Sequence, residues 1–169
     1  MKDSSSINPA SISIGNTQRG HHFWIGKCDN NTDFYAGQTF KIPRSGSLKT
    51  ISILPELIVG ETDATLSVYE FDEQQHAFKD KKTECKLQLH KSDENKWIQF
   101  HFNNVHLDNS RSYAFKISCN HNGIMAIAEC NWSIKDPYPE GEQWVGSSKN
   151  PQGNFHRNFD LAFLAEIGR

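Results

Sequence analysis

The sequence predicts an all-β protein, a two-sheet antiparallel β-sandwich. Apolar and polar residues alternate with a period of two in many short segments, and polar turns separate these segments. No segment of ten or more residues carries apolar side chains at the spacing of a helix. Many short strands at such spacing indicate a sandwich or barrel, and 169 residues suit one such domain.

Each predicted strand is recognised by a row of apolar residues two positions apart. Ile98, Phe100 and Phe102 form one such row, because successive side chains of a strand point to opposite faces of the sheet. A turn is predicted at 121–123. The predicted strands are, in chain order, 21–25, 38–42, 48–54, 63–71, 83–90, 97–105, 112–118, 124–132 and 158–167.

The chain is predicted to divide into a lead-in and one domain. Residues 1–20 are polar and rich in Ser, Asn and Gly, so we expect a flexible lead-in with one short edge strand at 12–14. Residues 21–169 are expected to form a single β-sandwich domain. Within it, the stretch 133–157 loses the alternation and is interrupted by Pro and Gly, which predicts a long loop. Such a loop inside a compact domain is often functional.

Composition and charge narrow the expected partners. The charged fraction is 22%, the net charge is -2, and Lys and Arg are scattered without a basic stripe. We therefore expect no nucleic-acid partner. The apolar stretch 51–59 is too short for a membrane span and is broken by Pro55 and Glu56. The polar start at 1–6 has no apolar core of an export signal, and the sequence leaves the compartment and the oligomeric state open.

Cysteine and histidine spacing give no transition-metal or redox motif. The four cysteines have no C-x-x-C spacing, so we expect buried free thiols. The eight histidines include no pair at H-x-H or H-x-x-x-H spacing. No cofactor is expected on these grounds. Oxygen ligands that suit Ca²⁺ are nevertheless present in loops or near them, at Asp29, Asn30, Asn31, Asp33 and Asp160.

Aromatic and polar residues are concentrated in the predicted loop and at its two ends. A sugar presents C–H faces that stack on aromatic rings, and hydroxyl groups that pair with carboxylates and amides. The alternative is that the indole rings of Trp132 and Trp144 close one open end of the sandwich. The residues predicted to bind a ligand are Trp132, Tyr138, Glu140, Trp144, Asn154 and His156.

Sequence signatures of catalysis are not found. The chain has no G-x-S-x-G, no P-loop and no H-E-x-x-H sequence. Glu140 and Glu142 share one stretch, but acid–base catalysis needs groups held on rigid elements. We therefore expect no catalytic residues, and a small jelly-roll enzyme acting on polysaccharides through Glu140 or His156 ranks below a binding protein.

Several short segments together resemble one group of proteins, the bacterial jelly-roll sandwich modules of surface and secreted proteins. This group includes carbohydrate-binding and choice-of-anchor modules. In it a QTF strand opens the fold, an SxYE-like strand lies in the first half and a DLAF-like strand closes the fold. The resemblance spans about 34–167 and rests on the segments 38–40, 45–48, 66–70, 97–100, 113–115, 137–141 and 160–163.

The resemblance implies a non-catalytic binding module that recognises a carbohydrate or a cell-surface glycan, as in adhesion. It also implies an extracellular or cell-surface location. A structural or protein-interaction domain of a larger surface assembly is the alternative function. A shared fold does not by itself carry a shared ligand, so the function has to be argued from the site.

Overall fold

Alternation along the chain builds two antiparallel sheets that face each other. The computed structural model describes residues 11–29, 31–120 and 123–169. In this part of the chain it contains fifteen strands and one short 3₁₀ helix, and the predicted all-β sandwich is confirmed. No helix among these residues has the length and apolar character needed to cross a bilayer. The turn predicted at 121–123 falls largely on residues outside the described ranges.

The predicted segments 63–71 and 112–118 match observed strands closely, whereas the strand predicted at 83–90 begins earlier and the one predicted at 97–105 is shorter. A 3₁₀ helix, Lys91–Asp93, separates the seventh and eighth strands. The strands are β1 (Ser11–Asn16), β2 (His21–Asp29), β3 (Thr32–Lys41), β4 (Gly46–Ile53), β5 (Pro55–Val59), β6 (Thr62–Asp72), β7 (Ala77–Leu89), β8 (Ile98–His101), β9 (His106–Leu107), β10 (Ser112–Asn120), β11 (Ile124–Asn131), β12 (Gln143–Ser147), β13 (Asn150–His156), β14 (Phe159–Leu161) and β15 (Phe163–Gly168).

The two sheets differ in size. The smaller sheet has the order β1-β15-β4-β8, and β9 also pairs with β4. The larger sheet has the order β14-β11-β2-β3-β10-β6-β7. Three further strands extend the larger sheet: β5 pairs with β11, β12 pairs with β3, and β13 pairs with β12. The larger sheet therefore offers a broad outer face, on which two of the concave surfaces are found.

The hydrophobic core lies between the inner faces of the two sheets. Phe40 and Phe115 of the larger sheet and Phe163 of the smaller sheet are fully buried. Their ring centroids lie 5.6 to 6.4 Å from one another, in tilted arrangements that aromatic rings favour. Burial of each such ring contributes about 1.5–3 kcal/mol relative to exposure. These buried rings belong to the rows of apolar residues, two positions apart, that the sequence shows in each strand.

The predicted loop 133–157 is partly wrong, because it contains the hairpin of β12 and β13. Gln143 and Val145 face inward while Trp144 faces outward, so a short alternation does exist here. Pro151 lies at the start of β13, which pairs with β12 alone. An edge strand of this kind tolerates a residue without a backbone N–H. The Pro and Gly signals therefore mark an irregular hairpin, whose register shifts between Val145 and Ser147.

The folded part of the chain begins before the expected domain boundary at residue 20. The short edge strand predicted at 12–14 is present as β1, which pairs antiparallel with β15 from Ser11 to Asn16. The side chain of Asn16 is buried and donates hydrogen bonds to the carbonyl oxygens of Gln18 and Leu161. Residues 11–16 thus belong to the smaller sheet. The remainder of the predicted lead-in, 1–10, lies outside the described residues.

The cysteines are free thiols, as expected, but they are not uniformly buried. Cys119 is buried, Cys85 and Cys130 are half-buried, and Cys28 is exposed. Burial raises the pKa of Cys119 to about 12, so this thiol stays protonated at neutral pH. The expectation of four buried thiols is wrong because Cys28 lies near the end of β2, at the rim of the sheet.

Trp144 fills a space on the outer face of the larger sheet and is only 1% exposed. Its indole Nε1 donates to the carbonyl oxygen of Gln152 over 2.9 Å. Glycines make room for the ring: a Cβ atom on Gly146 or Gly153 would lie 2.4 to 2.6 Å from indole atoms, and one on Gly37 would lie 3.2 Å away. The ring also contacts Phe78 edge to face, with centroids 5.3 Å apart. Trp144 therefore belongs to a second, smaller packed layer outside the sandwich.

Trp144→Ala should lower the free energy of unfolding by about 3–5 kcal/mol, because the glycine-lined space cannot collapse around the missing indole. Urea denaturation followed by circular dichroism measures the change. Trp97→Ala is the matched control, since Trp97 is 37% exposed, and it should change the value by less than about 1 kcal/mol. Equal effects of the two substitutions would contradict this packing role.

Candidate functional site

The outward-facing row of β3 underlies two concave surfaces. Asp33 and Tyr35 line one of them, and Thr39 and Lys41 line the other. Gly37 lies between the two pairs and is covered by the Trp144 indole. We call the surface at Thr39 and Lys41 the cleft, and the surface at Asp33 and Tyr35 the outer groove. The packed layer around Trp144 lies between them.

This packed layer, which we call the aromatic ridge, consists of Tyr69, Phe71, Phe78, Lys116, Trp144 and Phe155. The Lys116 ammonium lies 4.0 Å from the Phe78 ring centroid and 4.5 Å from that of Trp144, in cation–π contact with both. Burial lowers the pKa of Lys116. The ridge gives both concave surfaces a rigid common wall.

The cleft is the largest of the concave surfaces described, with a volume of about 560 Å³. Strand β3 contributes its floor, the β6–β7 turn contributes one side, and the segment that follows β11 contributes the other. Polar side chains predominate at its surface, with a single indole ring among them. Its lining residues are Thr39, Lys41, Phe71, Glu73, His76, Trp132, Asp136, Pro139, Glu140, Gly141, Glu142 and Arg157.

Charged groups in the cleft are paired across its walls. Lys41 Nζ lies 2.9 Å from Glu73 Oε1, and this hydrogen bond lowers the pKa of Glu73 and raises that of Lys41. His76 and Glu142 form a second short pair between the β6–β7 turn and the segment before β12. Glu142 is also fixed through its backbone, because its N–H donates to Thr39 Oγ1 over 2.9 Å. The cleft thus combines held carboxylates with cations.

Trp132 supplies the aromatic surface of the cleft. The residue is half-buried, and its backbone N–H donates to the carbonyl oxygen of Asn158 over 2.9 Å. Its indole Nε1 is buried and has no hydrogen-bond acceptor among the described residues. Glu140 is exposed in the same cleft. The structure therefore brings together two of the six residues predicted to bind a ligand.

Tyr138 is not part of an exposed aromatic platform, although it lies beside the cleft. It is 7% exposed, and its ring packs edge to face on Phe163 with centroids 5.1 Å apart. Its hydroxyl oxygen lies 3.3 Å from the Lys41 backbone N–H and 3.4 Å from the Lys41 carbonyl oxygen. Burial raises the pKa of Tyr138. Tyr138 therefore connects the cleft wall to the hydrophobic core and has a packing role, as Trp144 has in the aromatic ridge.

The remaining predicted residues lie elsewhere. Asn154 is exposed at a shallow groove of about 220 Å³ that Phe23 and Phe34 also line. His156 is exposed at a third concavity together with Phe159. The six residues therefore do not form one site, since alternate side chains of the β12–β13 hairpin point to different faces of the larger sheet.

A buried carboxyl group lies beneath the cleft. Asp160 is fully buried, and its Oδ1 accepts a hydrogen bond of 2.8 Å from Gln38 Nε2. Its Oδ2 makes no well-formed hydrogen bond to the described residues, although the Asp136 carboxyl group is its neighbour. Burial, and then the nearby charges of Asp136 and Glu142, raise the pKa of Asp160 to about 8, against the opposing hydrogen bond from Gln38. Asp160 is therefore mainly protonated at neutral pH.

Asp160 lies apart from the loop residues that were considered with it for Ca²⁺. Asp33 lines the outer groove, whereas Asp160 is buried on the opposite side of β3. Within residues 11–29, 31–120 and 123–169, no group of three or more His, Cys, Asp or Glu side chains is arranged to hold a metal ion. Asn30, one of the five candidate ligands, lies outside these ranges.

Most residues that line the cleft were not predicted from the sequence. Lys41, His76 and Arg157 come from three different parts of the chain, and none of them belongs to a recognisable motif. Thr39 and Lys41 carried a signal, because alternation along β3 places both on the face opposite to Phe40. The ion pairs depend on where the β6–β7 turn lies, which local sequence does not fix.

Comparisons with known proteins give no functional assignment. Neither the protein-family models nor the curated proteins include a match to this chain. Among solved structures, a chain from a structure of infectious bursal disease virus, Gx strain, is similar at 13% identity with a TM-score of 0.26. That match covers 94% of this chain, which spans 42% of the viral chain. The likeness is too low to carry an argument about function.

Asp160→Asn should stabilise the protein at alkaline pH. The Asp160 pKa is raised on folding, so the stability it contributes is complete below about pH 4 and is lost as pH rises towards 8. Asparagine cannot ionise, and its carbonyl oxygen can still accept from Gln38. The variant should therefore exceed the native protein by about 2 kcal/mol or more at pH 9 and match it near pH 4.

Unfolding in urea at a series of pH values measures both curves. Asp80→Asn is the control, because Asp80 is exposed on β7, and it should stay within about 0.5 kcal/mol of the native protein throughout. Parallel curves for the Asp160 variant and the native protein would show that Asp160 is ionised in the folded state across this range.

Proposed function

We propose that this protein is a non-catalytic carbohydrate-binding module, and that the cleft holds a short saccharide. The half-buried Trp132 ring, set among carboxylates in a rigid cleft, is the observation on which the proposal rests. A sugar ring would place its C–H face on the indole and direct its hydroxyl groups to the cleft walls. A bacterial surface or adhesion role follows only from the sequence resemblance and is part of this proposal.

The polar groups of the cleft suit sugar hydroxyl groups. Carboxylates such as Glu140 accept hydrogen bonds from hydroxyl groups, and Lys41 and Arg157 donate to hydroxyl oxygens. The ion pairs described above hold several of these groups in place before a ligand arrives, which lowers the entropy cost of binding. A volume of about 560 Å³ lies within the range of small-ligand sites.

The buried acid supports binding rather than reaction. Asp160 has the raised pKa expected of a general acid, but it is fully buried beneath the cleft, so it cannot contact a bound sugar. Its proton instead permits the buried Asp160 carboxyl group to lie close to that of Asp136, which lines the cleft. The acid therefore stabilises the shape of the cleft.

Trp132→Ala should weaken binding of a soluble oligosaccharide by about tenfold, because the stacking surface is lost. Glu140→Gln, which keeps shape but weakens the acceptor, should weaken it by about threefold. A panel of neutral and acidic oligosaccharides is first screened by calorimetry to find a ligand. The dissociation constants of the native protein and the variants are then measured with that ligand. Trp97→Ala removes an indole outside the cleft and should leave affinity unchanged.

Two results would reject the proposal. If the folded native protein binds no saccharide of the panel, the carbohydrate assignment fails. If Tyr35→Ala abolishes binding and Trp132→Ala does not, the sugar occupies the outer groove and the assignment to the cleft fails.

A further inference from the structure

Strands β2 and β12 lie on opposite sides of β3 and together contribute to a small, mainly apolar pocket. Phe34 of β3 pairs with Gly26 of β2 and with Ser147 of β12. Side chains from both neighbouring strands line this pocket, which has a volume of about 280 Å³. We call it the side pocket. It is lined by His21, Phe23, Glu129, Gln143, Val145, His156 and Phe159.

A histidine–carboxylate pair lies at this pocket. His21 Nδ1 is 2.6 Å from Glu129 Oε1, and the two residues are opposite each other on β2 and β11. The side chain of Glu129 is 3% exposed and that of His21 is 58% exposed. When the carboxylate accepts the Nδ1 hydrogen, the neutral imidazole keeps its lone pair on Nε2. In this neutral form the pair presents a hydrogen-bond acceptor at Nε2.

A buried amide completes the polar part of the pocket. Gln143 is 1% exposed, and its Nε2 donates a short hydrogen bond to Glu129 Oε2. Gln143 Oε1 is buried and has no hydrogen-bond donor among the described residues. Leaving such an oxygen unpaired is unfavourable, because it has lost its hydrogen bonds to water. A ligand that donates to this oxygen would recover part of that cost.

The rest of the pocket is apolar and aromatic. Phe159 contacts His21 edge to face with centroids 5.9 Å apart, and it contacts His156 in the same way at 6.0 Å. Phe23 and Val145 supply the remaining walls. A dry cavity of about 150 Å³ accepts benzene, so a pocket of this volume accepts one substituted ring.

We propose that the side pocket binds a small hydroxylated aromatic molecule of the phenol or catechol class. The ring lies among Phe23, Val145 and Phe159, and one hydroxyl group donates to His21 Nε2. A second hydroxyl group, where present, donates to Gln143 Oε1. This site and its ligand are independent of the saccharide cleft, since the two share no lining residue.

The test uses 4-nitrocatechol and nitrobenzene as probes on the full chain. Native protein should bind 4-nitrocatechol saturably and at least tenfold more tightly than nitrobenzene, which lacks both hydroxyl groups. Imidazole resonances of His21 and His156 should shift on addition, while that of His101, on the smaller sheet, should not. Equal affinity for the two probes, or shifts confined to other histidines, would overturn the proposal.

Adjacent histidines provide a matched pair of variants. His21→Ala should weaken 4-nitrocatechol binding by at least tenfold, because the acceptor is lost. His22→Ala should leave it unchanged, since His22 points to the other face of β2 and contacts Trp24 there. Equal effects of the two substitutions would overturn the assignment. Trp132→Ala should not alter probe binding, so a loss in that variant would place the probe in the cleft instead.

Discussion

The amide side chain of Gln38 makes two buried hydrogen bonds beneath the cleft. Its Nε2 donates to the Asp160 carboxyl group over 2.8 Å, and its Oε1 accepts from the Leu161 backbone N–H over 2.9 Å. Both groups are buried, so no water competes for these bonds. The short strand β14 is thereby tied to β3 in the middle of the larger sheet. The segment after β11 places Asp136 beside Asp160, and this contact sets the position of the cleft wall relative to β3.

The strands that pack most regularly were predictable from the sequence alone. The predicted segments 63–71 and 112–118 coincide closely with β6 and β10, because long runs of alternation leave only one face to bury. The hairpin in 133–157 was not predictable, since Pro and Gly there obscured a short alternation. Its indole fits against Gly146 and Gly153 of the hairpin itself and against Gly37 of β3, a complementarity that the alternation of apolar and polar residues does not record.

The sites were less predictable than the fold. Trp132 and Glu140 share the cleft because they lie eight positions apart on one irregular segment, where sequence proximity is informative. His21 and Glu129 are 108 positions apart and meet only because β2 and β11 pair in one register. Neither residue carries a motif, so spacing could not reveal them. Contacts across a sheet depend on strand order, and strand order is a property of the whole chain.

Strand β12 links the two proposed sites through its alternation. Trp144 points outward into the ridge beside the cleft, whereas Gln143 and Val145 point inward and line the side pocket. A slip of one residue would exchange these faces and place the indole in the pocket. The fit of Trp144 against Gly37 favours the observed register, because a Cβ atom at that position would lie 3.2 Å from the indole ring. The same indole that was expected to contact a ligand therefore helps to set the register on which both binding surfaces depend.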